Sequence, residues 1–238
     1  MFRFKQFTVV QDRSAMKVTT DACLFGAWIA QRLEEKKNEA FHLLDIGAGT
    51  GLLSLMIAQE YKNVKIDAIE LDEGSFEDLQ FNFKESPWSE KLNGIHIDAL
   101  DFQSKGNYDV IVCNPPFYGK EWASPDPGRK LAHHGSGLNL EDLPALVKKH
   151  LSPEGKFFFL LPYKRLNEIN RLLDENALFI HNWLLARQTP SHDPFRVLVE
   201  GTMEKPLLSS FDELVIKNEG GQYTDEFRSL IKGYYLYE

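Results

Sequence analysis

The amino-acid sequence predicts an α/β fold in which a seven-stranded, mainly parallel sheet carries helices on both faces. In the middle of the chain, short apolar runs alternate with segments of helical periodicity, which is typical of parallel strands buried on both sides. Two longer strand-like runs, 177–186 and 195–204, flank a polar segment with two prolines, which predicts a terminal antiparallel hairpin. The length of 238 residues and the hydrophobic content of 43% suit one domain of this type.

Each remaining element follows from its local pattern. Apolar runs predict five earlier strands, at 42–46, 65–70, 95–98, 110–113 and 156–161. Apolar spacing of three and four residues predicts helices at 21–33, 51–60, 73–85, 140–151 and 163–174, with Thr20 as the N-cap of the first. Residues 2–10 alternate like an edge strand. We expect a single domain over residues 1–238, with an N-terminal extension over the site (1–37), a core (38–204) and a tail (205–238).

Charge limits the classes of partner. The net charge of −8 argues against a protein that holds nucleic acid by phosphate contacts alone. Two tracts are nevertheless locally basic. Residues 1–20 carry four basic side chains against one acidic side chain, and residues 118–135 carry three against two, together with two histidines.

The sequence carries no signal for a membrane, an export pathway or a metal. No window is long and apolar enough to cross a bilayer, and residues 1–10 lack the apolar block of a signal peptide. Cys23 and Cys113 lack zinc-ligand spacing, and each lies in an apolar run that predicts a small buried side chain. We expect a cytoplasmic protein without membrane contact or bound metal. The oligomeric state stays open, with a monomer favoured.

A glycine-rich loop follows the first of these strands. Residues 44–51 read Leu-Asp-Ile-Gly-Ala-Gly-Thr-Gly, and glycines let a backbone turn sharply and approach a ligand closely. Gly51 follows Gly49 by two positions, and Gly49 follows Gly47 by two, whereas a dinucleotide-binding loop needs three positions before its third glycine. This spacing disfavours NAD-dependent oxidoreduction. Asp45, just before the glycines, suits a ligand with a cationic amino-acid end.

Acidic residues close the next two predicted strands. Glu70 lies 19 residues after Gly51, where a carboxylate can accept hydrogen bonds from both hydroxyls of a ribose. Asp98 is placed to accept a hydrogen bond from an adenine amino group, and Leu71 and Ala99 complete the predicted contacts. The carboxyl ends of neighbouring parallel strands line one crevice. The pattern resembles the class I methyltransferase fold, a Rossmann-like fold whose cofactor is S-adenosyl-L-methionine.

The fourth predicted strand runs into the tetrad Asn114-Pro115-Pro116-Phe117. Two prolines stiffen the turn, so Asn114 presents a fixed amide beside the cofactor. An aromatic amine is a poor nucleophile because its lone pair is delocalised into the ring. Hydrogen bonds from its N–H groups to the Asn114 side-chain oxygen and the Pro115 carbonyl would expose that lone pair, while Phe117 would stack on a flipped-out base. The tetrad predicts methylation of an amino nitrogen, whether in adenine, cytosine, guanine or a glutamine amide.

Matches along nearly the whole chain make the resemblance more specific. They lie at residues 4–7, 12–21, 26–28, 86–88 and 223–227, which read Phe-Lys-Gln-Phe, Asp-Arg-Ser-Ala-Met-Lys-Val-Thr-Thr-Asp, Gly-Ala-Trp, Ser-Pro-Trp and Tyr-Thr-Asp-Glu-Phe. These stretches resemble the bacterial valine tRNA (adenine-37 N6)-methyltransferase family. The resemblance implies that the target is N6 of the adenosine next to the anticodon, and that the partner is the anticodon stem-loop of a tRNA.

The same resemblance implies further site residues. The segment before the first helix would close over the cofactor, which gives Lys17, Thr20 and Asp21 a cofactor role. The side chains that would face the RNA lie in the two basic tracts, and they are Arg13, Lys120, Arg129, Lys130, His133 and His134. The family often has tyrosine at the last tetrad position, where Phe117 keeps the stacking face and lacks the hydroxyl.

Other functions compete with this interpretation. A release-factor glutamine methyltransferase usually carries a separate helical N-terminal domain, and only about 41 residues precede the first core strand here. Many guanine N2 methyltransferases of ribosomal RNA have a duplicated domain, which does not fit this length. A module that binds S-adenosyl-L-methionine or RNA without turnover would be indicated by the loss of Asp45, Glu70 or Asn114, and all three are present.

Overall fold

The computed structural model describes residues 1–14, 16–115 and 138–236. Within these ranges, one eight-stranded sheet carries helices on both faces, beside a separate two-stranded hairpin. The hairpin is β1 (Phe2–Arg3) and β2 (Thr8–Val9), and the sheet strands are β3 (Phe41–Ile46), β4 (Val64–Glu70), β5 (Leu92–His96), β6 (Tyr108–Cys113), β7 (Leu151–Pro162), β8 (Phe179–Arg187), β9 (Arg196–Thr202) and β10 (Ser210–Val215). The α-helices of the same ranges are α1 (Thr20–Arg32), α2 (Leu52–Glu60), α3 (Glu73–Glu85), α4 (Leu143–His150), α5 (Leu166–Glu175) and α6 (Asp225–Ile231).

The order of the strands in the sheet is β10-β8-β9-β7-β6-β3-β4-β5. Among these strands, β9 alone runs antiparallel to its neighbours, and the other pairs are parallel. The carboxyl ends of all strands except β9 therefore lie together, at what we call the carboxyl edge, and β9 begins there. In an open α/β sheet this edge is where ligands bind.

Both faces of the sheet are buried under helices. Strand β7 alternates between two apolar clusters, since Phe158 packs in one and Phe157 and Phe159 pack in the other. Helices α1, α2, α3 and α6 cover the first face, and α4 and α5 cover the second. Gly26 lets α1 approach α2 closely, because an added Cβ there would lie 2.6 Å from Met56 Sδ. The prediction of a mainly parallel sheet covered on both sides is confirmed.

The predicted number of strands was wrong. The antiparallel pairing of β8 with β9 is confirmed, but β10 extends the sheet beyond β8, which makes eight strands rather than seven. Strand β10 lacks an apolar signal because it lies at the edge of the sheet and its residues 210–213 are exposed. Residues 2–10 do not form one edge strand either. A turn in which the Phe4 N–H donates to the Phe7 carbonyl at 2.9 Å folds them into the β1–β2 hairpin.

Helix α1 begins one residue earlier than predicted. Its N-cap is Thr19 rather than Thr20, and the Thr19 hydroxyl accepts a hydrogen bond from the Ala22 N–H at 3.4 Å. None of the helices in the described ranges is both long and apolar enough to cross a bilayer.

The two ends of the chain pack against each other beside α1. The Lys5 N–H donates to the Tyr234 carbonyl at 2.8 Å. The rings of Phe2 and Phe4 both lie 6.1 Å from the ring of Tyr235. The aromatic tail, for which the sequence indicates no role, therefore anchors the N-terminal hairpin by aromatic packing.

Candidate active site

The glycine-rich loop joins β3 to α2 through three residues in the left-handed region. The φ angles are +68° at Gly47, +56° at Gly49 and +80° at Gly51, a conformation that residues with a Cβ rarely adopt. An added Cβ at Gly47 or Gly49 would meet no atom of the described residues within 4 Å, so the described part of the protein leaves open space over both glycines. At Gly51 an added Cβ would lie 2.5 Å from the ring of Phe83. The first two glycines thus leave room for a ligand, and the third lets the loop pack on α3.

Asp45 lies next to this loop, near the end of β3, and is 1% exposed. One carboxyl oxygen accepts a hydrogen bond from Ser54 Oγ at 2.7 Å, and the other is buried without a partner among the described residues. Burial raises the pKa of Asp45 to about 7, and the charge of Glu70 adds to the shift, while hydrogen bonds from Ser54 oppose it. A buried carboxyl group with a free oxygen is suited to a cationic or hydrogen-bond-donating ligand.

Glu70 organises the loop as well as ending β4. Its Oε2 accepts a hydrogen bond from the Gly49 N–H at 2.7 Å, and its Oε1 accepts bonds from the N–H groups of Leu71 and Asp72 at 2.9 and 2.8 Å. A carboxylate offers about four acceptor sites, so roughly one stays available to a ligand. The sequence predicts a ribose contact at Glu70 but does not predict that this side chain also fixes the loop.

Two leucines are exposed where β4 and β5 end. Leu71 is 44% exposed and Leu100 is 47% exposed. Asp98 shapes the turn that carries Leu100, because its Oδ1 accepts a hydrogen bond from the Leu100 N–H at 2.9 Å, while Ala99 between them is buried. Exposed leucines at a ligand edge are suited to pack on a flat base. Leu100 was not among the predicted site residues, because the mixed polar and apolar residues around it give no signal that sets it apart.

Asn114 lies directly after β6, at the level of the glycine loop. The register of β3 with β6 and with β4 brings Asn114, Gly47 and Glu70 side by side. The Asn114 side-chain oxygen is buried and accepts no hydrogen bond from the described residues, and the next residue, Pro115, is buried as well. A buried acceptor without a partner costs free energy and is rare. At this edge it indicates an acceptor that is kept for a ligand.

Several predicted site residues lie outside the described residues. They are Pro116, Phe117, Lys120, Arg129, Lys130, His133 and His134. Their roles in stacking and in RNA contact stay predictions.

Residues 10–14 and 16–19, which we call the strap, follow β2, lie against α3 and lead to the start of α1. The Lys17 ammonium group donates hydrogen bonds to the carbonyl of Gln11 and, at 2.9 Å, to the carbonyl of Ser14. The Val18 N–H donates to Gln11 Oε1 at 2.6 Å. The Lys17 side chain is therefore hydrogen-bonded within the strap. Its predicted role at the cofactor stays a prediction.

The other predicted residues near the strap are bound by protein groups. The Asp21 carboxylate accepts a hydrogen bond from Arg196 Nε at 2.7 Å, which ties the start of α1 to the start of β9 at the carboxyl edge. Burial raises the pKa of Tyr235, and the neighbouring Thr20 side chain opposes this shift. Arg13 forms an exposed ion pair with Glu77 of α3, with 2.8 Å between Nε and Oε2. Arg196 was not predicted, because its partner is distant in sequence.

Both cysteines are fully buried, as predicted. Burial raises the pKa of the Cys113 thiol well above its usual value, and the charges of Asp45 and Glu70 add to this shift. The thiolate is therefore disfavoured, and Cys113 is a packing residue next to the tetrad rather than a nucleophile.

Comparison of the sequence with known proteins points to one family. The family model described as methyltransferase small domain matches residues 26–137. A protein of Dyadobacter fermentans is 38% identical over 243 residues, covering 99% of this chain and 97% of its own length. A protein of Flavobacterium psychrophilum is 38% identical, covering 99% of both chains, and one of Vibrio vulnificus is 33% identical, covering 99% and 95%. All three carry the name tRNA1(Val) (adenine(37)-N6)-methyltransferase.

Solved structures share the fold at low sequence identity. A predicted O-methyltransferase from Agrobacterium tumefaciens superposes with a TM-score of 0.66 at 18% identity, covering 90% of this chain and 96% of its own. The methyltransferase subunit of a type I restriction-modification system from Streptococcus thermophilus gives a TM-score of 0.62 at 19% identity, covering 93% of this chain and 53% of its own. These neighbours confirm the predicted class I methyltransferase fold.

Proposed function

Because this chain belongs to the family of tRNA1(Val) (adenine(37)-N6)-methyltransferases, we propose that it transfers a methyl group from S-adenosyl-L-methionine to N6 of adenosine 37 in valine tRNA. The observation that carries the chemistry is the buried side-chain oxygen of Asn114 beside the glycine loop, which has no hydrogen-bond partner among the described residues. It is the kind of acceptor that an exocyclic amino group needs.

The residues of the carboxyl edge suit the cofactor. Open space over Gly47 and Gly49 gives room for its backbone-like methionine portion. One oxygen of Asp45 has no hydrogen-bond partner among the described residues and suits the ammonium group of that portion, and the remaining acceptor site of Glu70 suits a ribose hydroxyl. Leu71, which is exposed, suits the face of the adenine ring. When bound, S-adenosyl-L-methionine supplies an electrophilic methyl group on a positively charged sulfur.

Two acceptors of the chain would prepare the nucleophile. We assign the Asn114 side-chain oxygen and the Pro115 carbonyl to the two N–H groups of the target adenine. Their hydrogen bonds help the nitrogen to become pyramidal and to expose its lone pair. The proton can leave after the nitrogen is methylated, so no side chain needs to act as a strong base.

The tRNA partner is proposed to bind through its anticodon stem-loop. Proteins read bases in single-stranded RNA loops by stacking and by edge hydrogen bonds, while basic side chains position the phosphates. Phe117 is assigned the stacking role, and Arg13 with the basic residues of 118–135 the phosphate contacts. With a net charge of −8, such contacts must be local. A cytoplasmic monomer is the proposed form.

The test is methylation of an unmodified valine tRNA transcript by the purified protein with methyl-labelled S-adenosyl-L-methionine. Digestion and mass spectrometry of the nucleosides should show N6-methyladenosine as the labelled product. A transcript with guanosine at position 37 should take up no label. Label in guanosine, label in protein only, or equal labelling of the two transcripts would contradict the proposal.

A further inference from the structure

Two buried polar side chains of α3 face the strap. Asn82 is 2% exposed and Asp78 is 0% exposed, and they lie one helical turn apart on the face that also carries Leu79 and Phe83. Polar groups on a buried helix face need hydrogen-bond partners. Here the partners are backbone groups of the strap and of the glycine loop.

Asn82 joins the strap to the glycine loop through one side chain. Its Oδ1 accepts a hydrogen bond from the Val10 N–H at 2.8 Å. Its Nδ2 donates to the Val10 carbonyl at 2.8 Å and to the Thr50 carbonyl at 2.9 Å. Thr50 lies between Gly49 and Gly51, so these bonds fix the strap directly against the glycine loop.

Asp78 holds the next part of the strap. Its Oδ2 accepts hydrogen bonds from the N–H groups of Arg13 and Ser14, both at 2.9 Å. Ser75 Oγ, one turn earlier on α3, donates to Ser14 Oγ at 3.1 Å. Gly74 permits this close approach, because an added Cβ there would lie 3.1 Å from the Arg13 carbonyl oxygen.

The other end of the strap is fixed independently. Arg196 holds Asp21 at the start of α1, with a nitrogen–oxygen distance of 2.7 Å. The strap is therefore tied to α1 at one end and to α3 at the other. Loss of the α3 contacts should loosen the strap, while the Asp21–Arg196 pair and the packing of the N-terminal hairpin on Tyr235 hold its two ends.

We propose that Asn82 and Asp78 are positioning residues that set cofactor affinity by holding the strap closed against the glycine loop, without contacting the cofactor themselves. The inference rests on the proposed methyltransferase function. Because the bonds act on the strap and the loop, their loss raises the KM for S-adenosyl-L-methionine. Turnover at saturating cofactor keeps its value, since none of the described hydrogen bonds of Asn82 and Asp78 involves Asn114.

The first test is Asn82→Asp, which keeps an acceptor for the Val10 N–H and replaces the two N–H donors by an oxygen facing two carbonyls. We expect about a tenfold increase in the KM for S-adenosyl-L-methionine and in the Kd for S-adenosylhomocysteine measured by calorimetry. The kcat should stay within about twofold. In the ligand-free protein, the amides of residues 10–14 should exchange with deuterium about tenfold faster than in the parent.

The matched control is Tyr61→Phe. It removes a buried hydrogen bond, from the Tyr61 hydroxyl to the Ala30 carbonyl at 2.6 Å, in a part of the fold that does not touch the strap. This variant should lose stability and keep both cofactor constants within about twofold. Asp78→Ala should behave like Asn82→Asp, and Asp78→Asn, whose amide keeps an oxygen for the Arg13 and Ser14 N–H groups, should restore most of the affinity.

Parent-like affinity and exchange in Asn82→Asp would overturn the inference, as would an equal loss of affinity in Tyr61→Phe. Should Asn82→Asp not fold, the pair Asp78→Ala and Asp78→Asn decides, and equal affinities in that pair overturn the inference. A parent protein that binds S-adenosylhomocysteine but methylates no tRNA contradicts the proposed function alone. A parent protein that methylates valine tRNA, with parent-like affinity in the variants, contradicts this inference alone.

Discussion

The glycine loop and the end of β6 lie side by side, but they differ in how far their polar groups are hydrogen-bonded within the protein. In the loop, the N–H groups of Gly47 and Ala48 donate to the Ile69 carbonyl at 2.9 and 3.0 Å, and the Gly49 N–H donates to Glu70 at 2.7 Å. At the end of β6, the Asn114 oxygen accepts nothing from the described residues. The loop is thus held by hydrogen bonds within the protein, whereas we propose that the Asn114 oxygen at the end of β6 accepts hydrogen bonds from the substrate. Changes in the loop should affect affinity and stability, and changes at Asn114 should affect turnover.

The largest expected effect is that of Asn114→Ala. Loss of a positioned hydrogen-bond acceptor should lower kcat for valine tRNA by about 100- to 1000-fold. The free energy of unfolding should fall little, because the deleted side-chain oxygen has no hydrogen-bond partner among the described residues. Steady-state methylation and urea unfolding measure the two effects.

Asn93→Ala is the control for this variant. The Asn93 amide donates to Asp67 Oδ1 at 2.7 Å at an exposed position on β5, so kcat should be that of the parent. The comparison breaks down if Asn114→Ala keeps the parent's turnover. It also breaks down if the free energy of unfolding falls by more than the activation free energy of methylation rises.

Glu70→Gln should lower the affinity for the cofactor more than it lowers turnover, the reverse of what we expect for Asn114→Ala. Glutamine has one acceptor oxygen in place of two and therefore cannot serve the Gly49, Leu71 and Asp72 N–H groups together. Because hydrogen bonds to a charged acceptor are the stronger kind, the Kd for S-adenosylhomocysteine should rise about 10- to 100-fold, with a smaller change in kcat. Calorimetry measures the affinity.

Glu175→Gln serves as the matched control, since Glu175 makes an exposed pair with Arg171 at 2.7 Å, far from the carboxyl edge. It should bind like the parent. If Glu70→Gln bound the ligand as tightly as this control, the loop would not depend on Glu70.

Asp45→Asn should change how stability depends on pH. The pKa of Asp45 is raised to about 7 by burial, so the folded state holds a proton that the unfolded state releases above about pH 4. The free energy of unfolding of the parent therefore falls as the pH rises through this window. The asparagine variant cannot titrate, so its stability relative to the parent should increase by about 1.4 kcal/mol per pH unit between pH 5 and 6.

Urea unfolding at pH 5, 6 and 7 measures this difference. Ser54→Ala sharpens the test, because it removes the side-chain hydrogen bond from Ser54 Oγ, which lowers the pKa of Asp45, and should move the window to higher pH. A pH-independent stability difference between the parent and Asp45→Asn would show that the carboxyl group does not titrate in this range.

The smallest effect is expected for Gly49→Ala. Its Cβ would meet no neighbour among the described residues within 4 Å, so the cost is that of the left-handed backbone, about 1 to 2 kcal/mol of unfolding free energy. Gly106→Ala is the control, because its Cβ also meets nothing and its φ is not positive. The midpoint of thermal unfolding should be lower for Gly49→Ala than for Gly106→Ala. Equal stabilities of the two variants would argue against a strained loop.

Much of the fold was predictable because local pattern and tertiary environment agree. Helix α3 has the predicted bounds, and the buried strands of the core were recognisable from continuous apolar residues. Asp45, Glu70 and Asn114 were recognisable because each stands at a strand end, where parallel strands bring distant residues together.

The rest of the fold and of the site depends on contacts between residues that are distant in sequence, and no local sequence pattern indicates these contacts. Strand β10 forms because β8 offers it an edge, and its own residues are mostly exposed. The Asp21–Arg196 pair joins residues 175 positions apart. Asn82 did leave a signal, a polar residue on the apolar face of α3, but that signal does not name its partners on the strap.

The most direct test of the central claim uses cells that lack this protein. Valine tRNA isolated from them and analysed by nucleoside mass spectrometry should lack N6-methyladenosine at position 37. The parent gene should restore the modification, and Asn114→Ala at equal protein abundance should not. Full restoration by Asn114→Ala, or an unmodified adenosine 37 in the presence of the parent protein, would contradict the account.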